Sequence, residues 1–262
     1  MEVICETHGH VAVLTLSRPE SRNAWCPAFT EGLTAHFARI EEDDDIRCVV
    51  LTGDDRGGAF SAGADLKNEK THTISGAAEF IGNMPRRARH AINLVADFPK
   101  PLVGAVNGYA VGIGCIISYC CDLIVASDRA EWRLPQARLG ILPAHGGAAR
   151  LLPWIGRGLA MRMALGFPLK AEEAYRIGLA QWLVPHADLL TRTMEVAGHI
   201  ADLPPLSTRM VKESLSQAAG GASLADTALA DAYRFFALEL TEDKNESHAA
   251  WREKRAPVFR GR

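Results

Sequence analysis

The run LVGAVNGYAVGIGCIISYCCD, residues 102–122, constrains this chain more than any other. It reads as a short buried strand, a glycine-punctuated turn and an apolar helix. The turn leaves several backbone N–H groups at a helix start, where no backbone carbonyl can accept them. Such a turn can hold a developing negative charge. It also joins a strand to a helix in the way an α/β fold requires.

The rest of the chain repeats that theme. Val3–His8 and Val11–Leu16 are strand-like, with His8, Gly9 and His10 as the hairpin turn. Residues 27–42 are helical, with Phe29, Leu33, Phe37 and Ile40 on one face. Short apolar strands are predicted at 48–52, 102–106 and 123–126, and helices at about 77–96 and 114–119. Helices alternating with short apolar strands imply parallel β-α units. After Leu183 the pattern is almost wholly helical. Pro204-Pro205 breaks it, and helices follow around 206–218, 224–240 and 245–255. No repeat of fixed period is visible.

A chain of 262 residues accommodates one large domain, or a domain with a C-terminal appendage. A hydrophobic content of 48% is that of a globular protein. The net charge of -2 gives no reason to expect a nucleic-acid partner. No apolar run is long enough to span a membrane, and the N-terminus lacks a basic region followed by an apolar core. The chain therefore reads as cytoplasmic. Cys5, Cys26, Cys48, Cys115, Cys120 and Cys121 are scattered or adjacent, mostly in apolar runs, which fits reduced core thiols better than disulfides or metal ligands.

Two loops carry the chemical signal. GGAFSAGADLK, residues 57–67, directly follows a strand. Ala62, Gly63 and Ala64 let a ligand approach the backbone closely, and Asp65 can cap a following helix. NGYAVGIG, residues 107–114, also follows a strand. Two such turns on neighbouring strands can aim two N–H groups at one oxygen atom, making an oxyanion hole from backbone alone. Either loop by itself also reads as a simple tight turn.

Together these segments resemble the enoyl-CoA hydratase/isomerase family, the crotonase superfamily. RPESRNAW at 18–25 is similar to its first CoA-contacting loop. AFSAGADLK at 59–67 and PLVGAVNGYAVGIGC at 101–115 are similar to its two oxyanion-hole motifs. ARLGILPAHGGAARLLPWIG at 137–156, AEEAYRIGLAQWLVP at 171–185 and EKRAPVF at 253–259 match further landmarks. The resemblance implies an α/β crotonase-type spiral of β-β-α turns, with the acyl-CoA site in residues 1–200. It implies a helical C-terminal trimerisation region over 201–262, and homotrimers that often pair into hexamers. The implied ligand is an acyl-CoA thioester, with coenzyme A entering only as part of the substrate, no separate cofactor and no metal. The implied oxyanion donors are Ala64 and Ile113. Ile113 stands where the family usually has glycine, and its branched side chain should narrow the pocket or alter the turn. The implied substrate-contacting positions are Arg22, Ala24, Ala62, Asp65, Leu66, Lys67, Ile116 and Lys254. Arg22 and Ala24 lie in the adenine-contacting loop, and Lys254 matches a basic residue that contacts the CoA phosphates.

One departure matters for chemistry. Hydratases of this family use two glutamates to add water across an α,β-unsaturated thioester. Here Ile116 and Gln136 stand in those positions. Isomerases usually keep the second glutamate, which is also missing. Glutamine does not transfer a proton near neutral pH, and isoleucine offers nothing polar. A positioned acid or base contributes about 10²–10⁴ in rate. Ordinary crotonyl-CoA hydratase activity is therefore expected to be weak or absent. His145, in LPAHGG, is the best substitute base, because imidazole titrates near neutral pH. The plain alternative is a loop histidine bonded to backbone. Cys115 is expected to be an inert packed thiol, and Glu131 a surface residue. Ser61 lacks the first glycine that a nucleophile elbow needs. Two readings follow: an acyl-CoA enzyme with a non-standard base, or an acyl-CoA binding or carrier protein without turnover.

Overall fold

The computed structural model describes residues 2–65, 67, 77–78 and 90–262. Strand β1 (Val3–His8) pairs antiparallel with β2 (Val11–Leu16), with Val3 opposite Leu16 and His8 opposite Val11. Gly9 opens the two-residue turn at φ 57°, a conformation glycine adopts without steric cost. From β2 the sheet runs in parallel through β3 (Cys48–Gly53), β5 (Leu102–Val106), β7 (Leu123–Ser127) and β10 (Trp182–Val184).

Alternation along the strands sorts their side chains onto two covered faces, as a parallel sheet requires. Val11, Val13, Cys48, Val50, Val103, Ala105 and Val125 pack under the helix Leu189–Ala201, against its Leu189, Val196 and Ala197. Ala12, Leu14, Leu16, Val49, Leu51, Leu102 and Val106 face the larger core. Helix α1 (Pro27–Glu42) closes that side with Phe29, Leu33, Phe37 and Ile40, the four positions its period marks. Each such burial is worth about 1.5–3 kcal/mol. Phe37 stacks against Phe98, which follows α2 (Ala91–Ala96), with ring centroids 4.4 Å apart. The expected helix over 77–96 is thus seen at its C-terminal end and at residues 77–78. Most of the intervening stretch lies outside the described residues.

A second sheet places the site. Its strands are β4 (Ala59–Ser61), β6 (Tyr109–Val111), β8 (Glu131–Arg133) and β9 (Leu169–Lys170), parallel except for the last pair. The chain leaves β3 for β4 and leaves β5 for β6, so both glycine loops pass from the first sheet into the second. Helix α3 (Ile113–Ser118) follows β6 at once. Further on come α4 (Leu152–Ala164), α5 (Ala171–Arg176) and α6 (Leu189–Ala201).

Three helices complete the chain: α7 (Pro205–Ala219), α8 (Leu224–Glu239) and α9 (Glu242–Glu253). Pro205 starts α7, where a missing N–H costs nothing. Ser223 and Thr241 cap α8 and α9, their hydroxyls accepting from the N–H groups of Asp226 and Lys244. All six cysteines are free thiols, and Cys48 and Cys115 are fully buried. No described helix is long and apolar enough to cross a membrane.

Candidate active site

The first loop is pinned from one side. Ala62 N–H donates to Arg22 O at 3.0 Å, Trp25 N–H to Gly63 O at 2.7 Å, and Asp65 N–H to Trp25 O at 3.0 Å. These bonds form a parallel bridge between Trp25 and Ala64. Because Trp25 bonds to the residues flanking Ala64, the N–H of Ala64 itself points to the opposite side. It donates to no backbone carbonyl among the described residues.

Asn23 makes this pinning possible. It is fully buried, its Nδ2 donates to Asp54 O at 2.9 Å and Ala59 O at 2.7 Å, and its Oδ1 accepts from Arg18 N–H. Arg22 and Asn23 both sit at φ 54°, a left-handed pair that this bonding stabilises. Asp65 is tied down rather than presented to a ligand. Its carboxylate accepts from Lys67 N–H at 3.1 Å and pairs with Arg18 Nη1 at 3.0 Å. The helix that Asp65 was expected to cap lies outside the described residues.

The second turn supplies the other donor. Gly112 N–H donates to Arg133 O at 2.8 Å, and Gly112 O accepts from Ile116 N–H at 3.0 Å. Ile113 is the first residue of α3, so its N–H has no intrahelical acceptor, and among the described residues no backbone carbonyl takes it. Gly112 has φ 55° and ψ -116°, a conformation that turns the chain sharply into α3 and that glycine adopts without steric cost. Ile113 leans against the main core and is only partly buried.

The two turns touch. A Cβ on Gly63 would meet Val111 O at 3.0 Å, and a Cβ on Gly112 would lie 3.8 Å from Gly63 Cα. Ala64 and Ile113 each follow a member of this contact by one residue. Ala64 and Ile113 therefore lie on either side of one contact between the two turns. Gly114 seals it from behind, with Ser61 so close that a Cβ would lie 2.6 Å from Ser61 Cβ. Ser61 is fully buried beneath it, which removes it as a nucleophile.

Around the junction, Ile116 is 2% exposed and meets the loop at 143–147, where a Cβ on Gly147 would lie 2.6 Å from its Cδ1. Tyr119 fixes that loop by donating its hydroxyl to Gly147 O, and burial raises its phenol pKa. Gln136 sits on the short 3₁₀ turn Pro135–Leu139. Its Nε2 would lie 3.5 Å from a Cβ on Gly112, and its buried Oε1 makes no hydrogen bond among the described residues. His145 has φ 54° and stacks on His90 with ring centroids 4.0 Å apart. Its carbonyl accepts from Arg150 Nε at 3.2 Å, and Arg150 Nη2 donates to Asn93 Oδ1 at 3.0 Å. His90 caps α2, its Nδ1 accepting from Ile92 N–H at 3.3 Å.

The remaining positions divide. Ala24 is buried and Arg22 exposed in the first loop, while Ala62 borders the bridge. Leu66 lies outside the described residues. Lys254 is an exposed left-handed cap at the end of α9, beside a shallow groove lined by Trp251, Arg252 and Arg255. Cys115 is fully buried, and burial drives its thiol pKa upward, as an inert packing residue requires. Glu131 pairs with Arg133 and keeps only 14% of its side chain exposed, so it is more enclosed than a surface residue. Asn23, Arg18 and His90 were not singled out from sequence. The first two lie inside RPESRNAW, but nothing there announces a left-handed asparagine.

A sequence model described as Enoyl-CoA hydratase/isomerase matches residues 6–262. The probable enoyl-CoA hydratase echA8 of Mycobacterium bovis is 35% identical over 260 residues, covering 98% of this chain and 97% of that one. The 2,3-dehydroadipyl-CoA hydratase of Escherichia coli is 35% identical over 262 residues, covering 100% and 99%. Among solved structures, an enoyl-CoA hydratase from Bacillus anthracis superposes with a TM-score of 0.90 at 30% identity, with full coverage of both chains.

Proposed function

The chain belongs to the enoyl-CoA hydratase/isomerase family, and from that premise we propose that it binds an acyl-CoA thioester and stabilises an oxyanion or enolate on it without ordinary hydratase chemistry. The observation that supports this reading is the Gly63–Gly112 contact, beside which Ala64 and Ile113 lie, with neither N–H donating to a backbone carbonyl among the described residues. The thioester oxygen accepts from both. Preorganised donors of this kind act most strongly on the charge that develops during reaction, and removing one from an enzyme costs about 10²–10³ in rate.

The groups beside that junction set the limit. Ile116 and Gln136 replace the two carboxylates on which water addition depends, so no acid–base pair delivers water to the double bond. His145 is the candidate base in their place, and decarboxylation, thioester hydrolysis or another lyase step uses the same oxyanion site. Coenzyme A enters only as part of the substrate. Residues 1–200 hold the site, and residues 201–262 provide self-association as a trimer or a paired trimer.

A second reading is acyl-CoA binding without turnover, as in a carrier. The burial of apolar Ile116 beside Gly147 favours it. One experiment separates the two. The purified protein is incubated with crotonyl-, malonyl- and butyryl-CoA, and both binding and product mass are followed. Turnover of any of them that disappears in His145→Ala supports the enzyme. Binding with no product supports the carrier. Crotonyl-CoA hydration at ordinary enzymatic rates overturns the reading of Ile116 and Gln136, and failure to bind every ester overturns both.

A further inference from the structure

The carboxyl ends of four parallel strands are joined by one chain of side chains. Asp55 follows β3, Asn107 follows β5, Ser127 ends β7 and His186 follows β10. His186 Nε2 lies 3.0 Å from Asp55 Oδ1 and 3.1 Å from Oδ2, and its Nδ1 lies 3.0 Å from Ser127 Oγ. Asn107 Nδ2 lies 3.4 Å from Asp55 Oδ1 and donates to Gly53 O at 3.0 Å. Strands β3 and β10 are not neighbours, because β5 and β7 lie between them. The Asp55–His186 pair therefore reaches across two intervening strands, which a ladder hydrogen bond does not do.

A serine, a histidine and an aspartate in line have the makings of a nucleophile, but Ser127 is fully buried and meets no substrate. The chemistry fits a tie instead. A carboxylate only accepts, so Nε2 carries the hydrogen of the neutral ring. Nδ1 then accepts from the Ser127 hydroxyl, whose oxygen accepts from Arg129 N–H at 3.0 Å. The backbone N–H of His186 donates to Asp128 Oδ1 at 3.1 Å, so His186 is held at the end of β7 by both ring and backbone. What the tie holds is the base of both glycine loops. Asp55 opens the 3₁₀ turn Asp55–Gly57 that leads into residues 57–67, and Asn107 opens residues 107–114. The loops press together at that base, since a Cβ on Gly108 would lie 2.5 Å from Gly58 O.

We propose that His186 is a positioning residue, whose ring ties the base of the Ala64 loop, and through Asp55 the base of the Ile113 turn, to the ends of β7 and β10. This rests on the thioester reading above and adds to it a residue outside the site on which the spacing of the two donors depends. Asp55 keeps 66% of its side chain exposed, so its pairing with His186 contributes little as charge. The effect comes from two hydrogen bonds of fixed direction on one ring. A glutamine amide donates at one atom and accepts at the other, so it can keep both bonds, whereas leucine keeps neither.

The test is hydrogen exchange of residues 53–65 and 106–113, followed by mass spectrometry on the full-length protein, with calorimetric titration of butyryl-CoA beside it. In His186→Leu both segments are expected to exchange about threefold to tenfold faster than in the wild type, while residues 11–16 of β2 exchange as before. Butyryl-CoA affinity should fall by about the same factor. His186→Gln should bring both measurements back to within about twofold of the wild type. Unchanged exchange or unchanged affinity in His186→Leu overturns the proposal. So does a glutamine variant as impaired as the leucine one, because the volume or charge of the ring is then the cause. If the leucine variant does not fold, Asp55→Ala removes the exposed end of the same tie and should speed exchange alike, and unchanged exchange there overturns the proposal. If the wild type binds no ester, the thioester reading falls, and the exchange measurement still decides on the tie.

Discussion

Gly114 is the residue on which the site depends most directly. A Cβ there would lie 2.6 Å from Ser61 Cβ, 2.7 Å from Ser61 O and 2.9 Å from Ser61 Oγ. Ser61 is fully buried on β4, so the overlap is relieved only by moving α3 or the strand. Either movement pulls the Ile113 N–H away from the Ala64 N–H. Gly114→Ala is therefore expected to cost about 1–3 kcal/mol of stability. It should also weaken thioester binding by more than that loss of folded population accounts for. Gly198→Ala is the matching control: Gly198 lies inside α6, and a Cβ there would meet nothing within 4 Å. That variant should gain about 0.4–1 kcal/mol and bind unchanged. Thermal melts and titrations of both proteins test the pair. If Gly114→Ala binds as tightly as the wild type, the close approach of α3 to β4 does not set the donor geometry.

At the scale of elements, one side chain fastens the C-terminal helices to the sheet. Lys212 of α7 donates to Asp122 Oδ2 at 2.7 Å and to Lys100 O at 3.0 Å, while Asp122 Oδ2 also accepts from Leu102 N–H. The cluster thus holds α7 against the start of β5. Burial pushes the Asp122 carboxyl above its ordinary range, and Lys212 opposes that shift. Lys212→Met is expected to cost about 2 kcal/mol, less than a fully buried pair because Asp122 keeps some exposure. In a chain of this size that lowers Tm by about 4–8 °C. Without the lysine the carboxyl pKa rises further, so protonation relieves the variant. The gap to wild type should widen as pH rises through the Asp122 titration and narrow below it, and a gap that ignores pH would show that Asp122 is not the partner that matters. The same elements show what a sequence reveals. Helix α1 and helices α7 to α9 are long enough for their period to show, and β2, β3, β5 and β7 are apolar runs ended by turn residues. The second sheet was not legible, because strands of two or three residues carry no period and form only where the first sheet delivers them. The two glycine turns could be read from sequence, and the resemblance named Ala64 and Ile113 within them. The contact between Gly63 and Gly112 could not, nor could the stacking of His145 on His90, 55 positions earlier.

For the whole molecule, the single chain leaves a large apolar surface on its last helices. Leu215, Leu229, Tyr233, Phe235, Phe236 and Leu240 are 59–87% exposed. A surface of that kind on adjoining helices is what an interface between subunits needs, whereas scattered exposed leucines need no such reason. Light scattering on a sizing column should give the wild type a mass of three or six chains. Phe236→Asp with Leu240→Asp should shift it toward one chain, because buried carboxylates in an apolar contact have no partner. Circular dichroism should stay unchanged, since these side chains lie outside the buried cores. A wild type that runs as a monomer at micromolar concentration rules out the interface. The dissociated variant then answers a question about the site itself. Ala64, Ile113 and Gln136 all come from one chain, so butyryl-CoA should bind the variant with an affinity of the same order as the wild type. Complete loss of binding in a folded monomer would mean that a neighbouring subunit supplies part of the CoA site, and Lys254 and Trp251, exposed at the end of α9, are the residues to examine next.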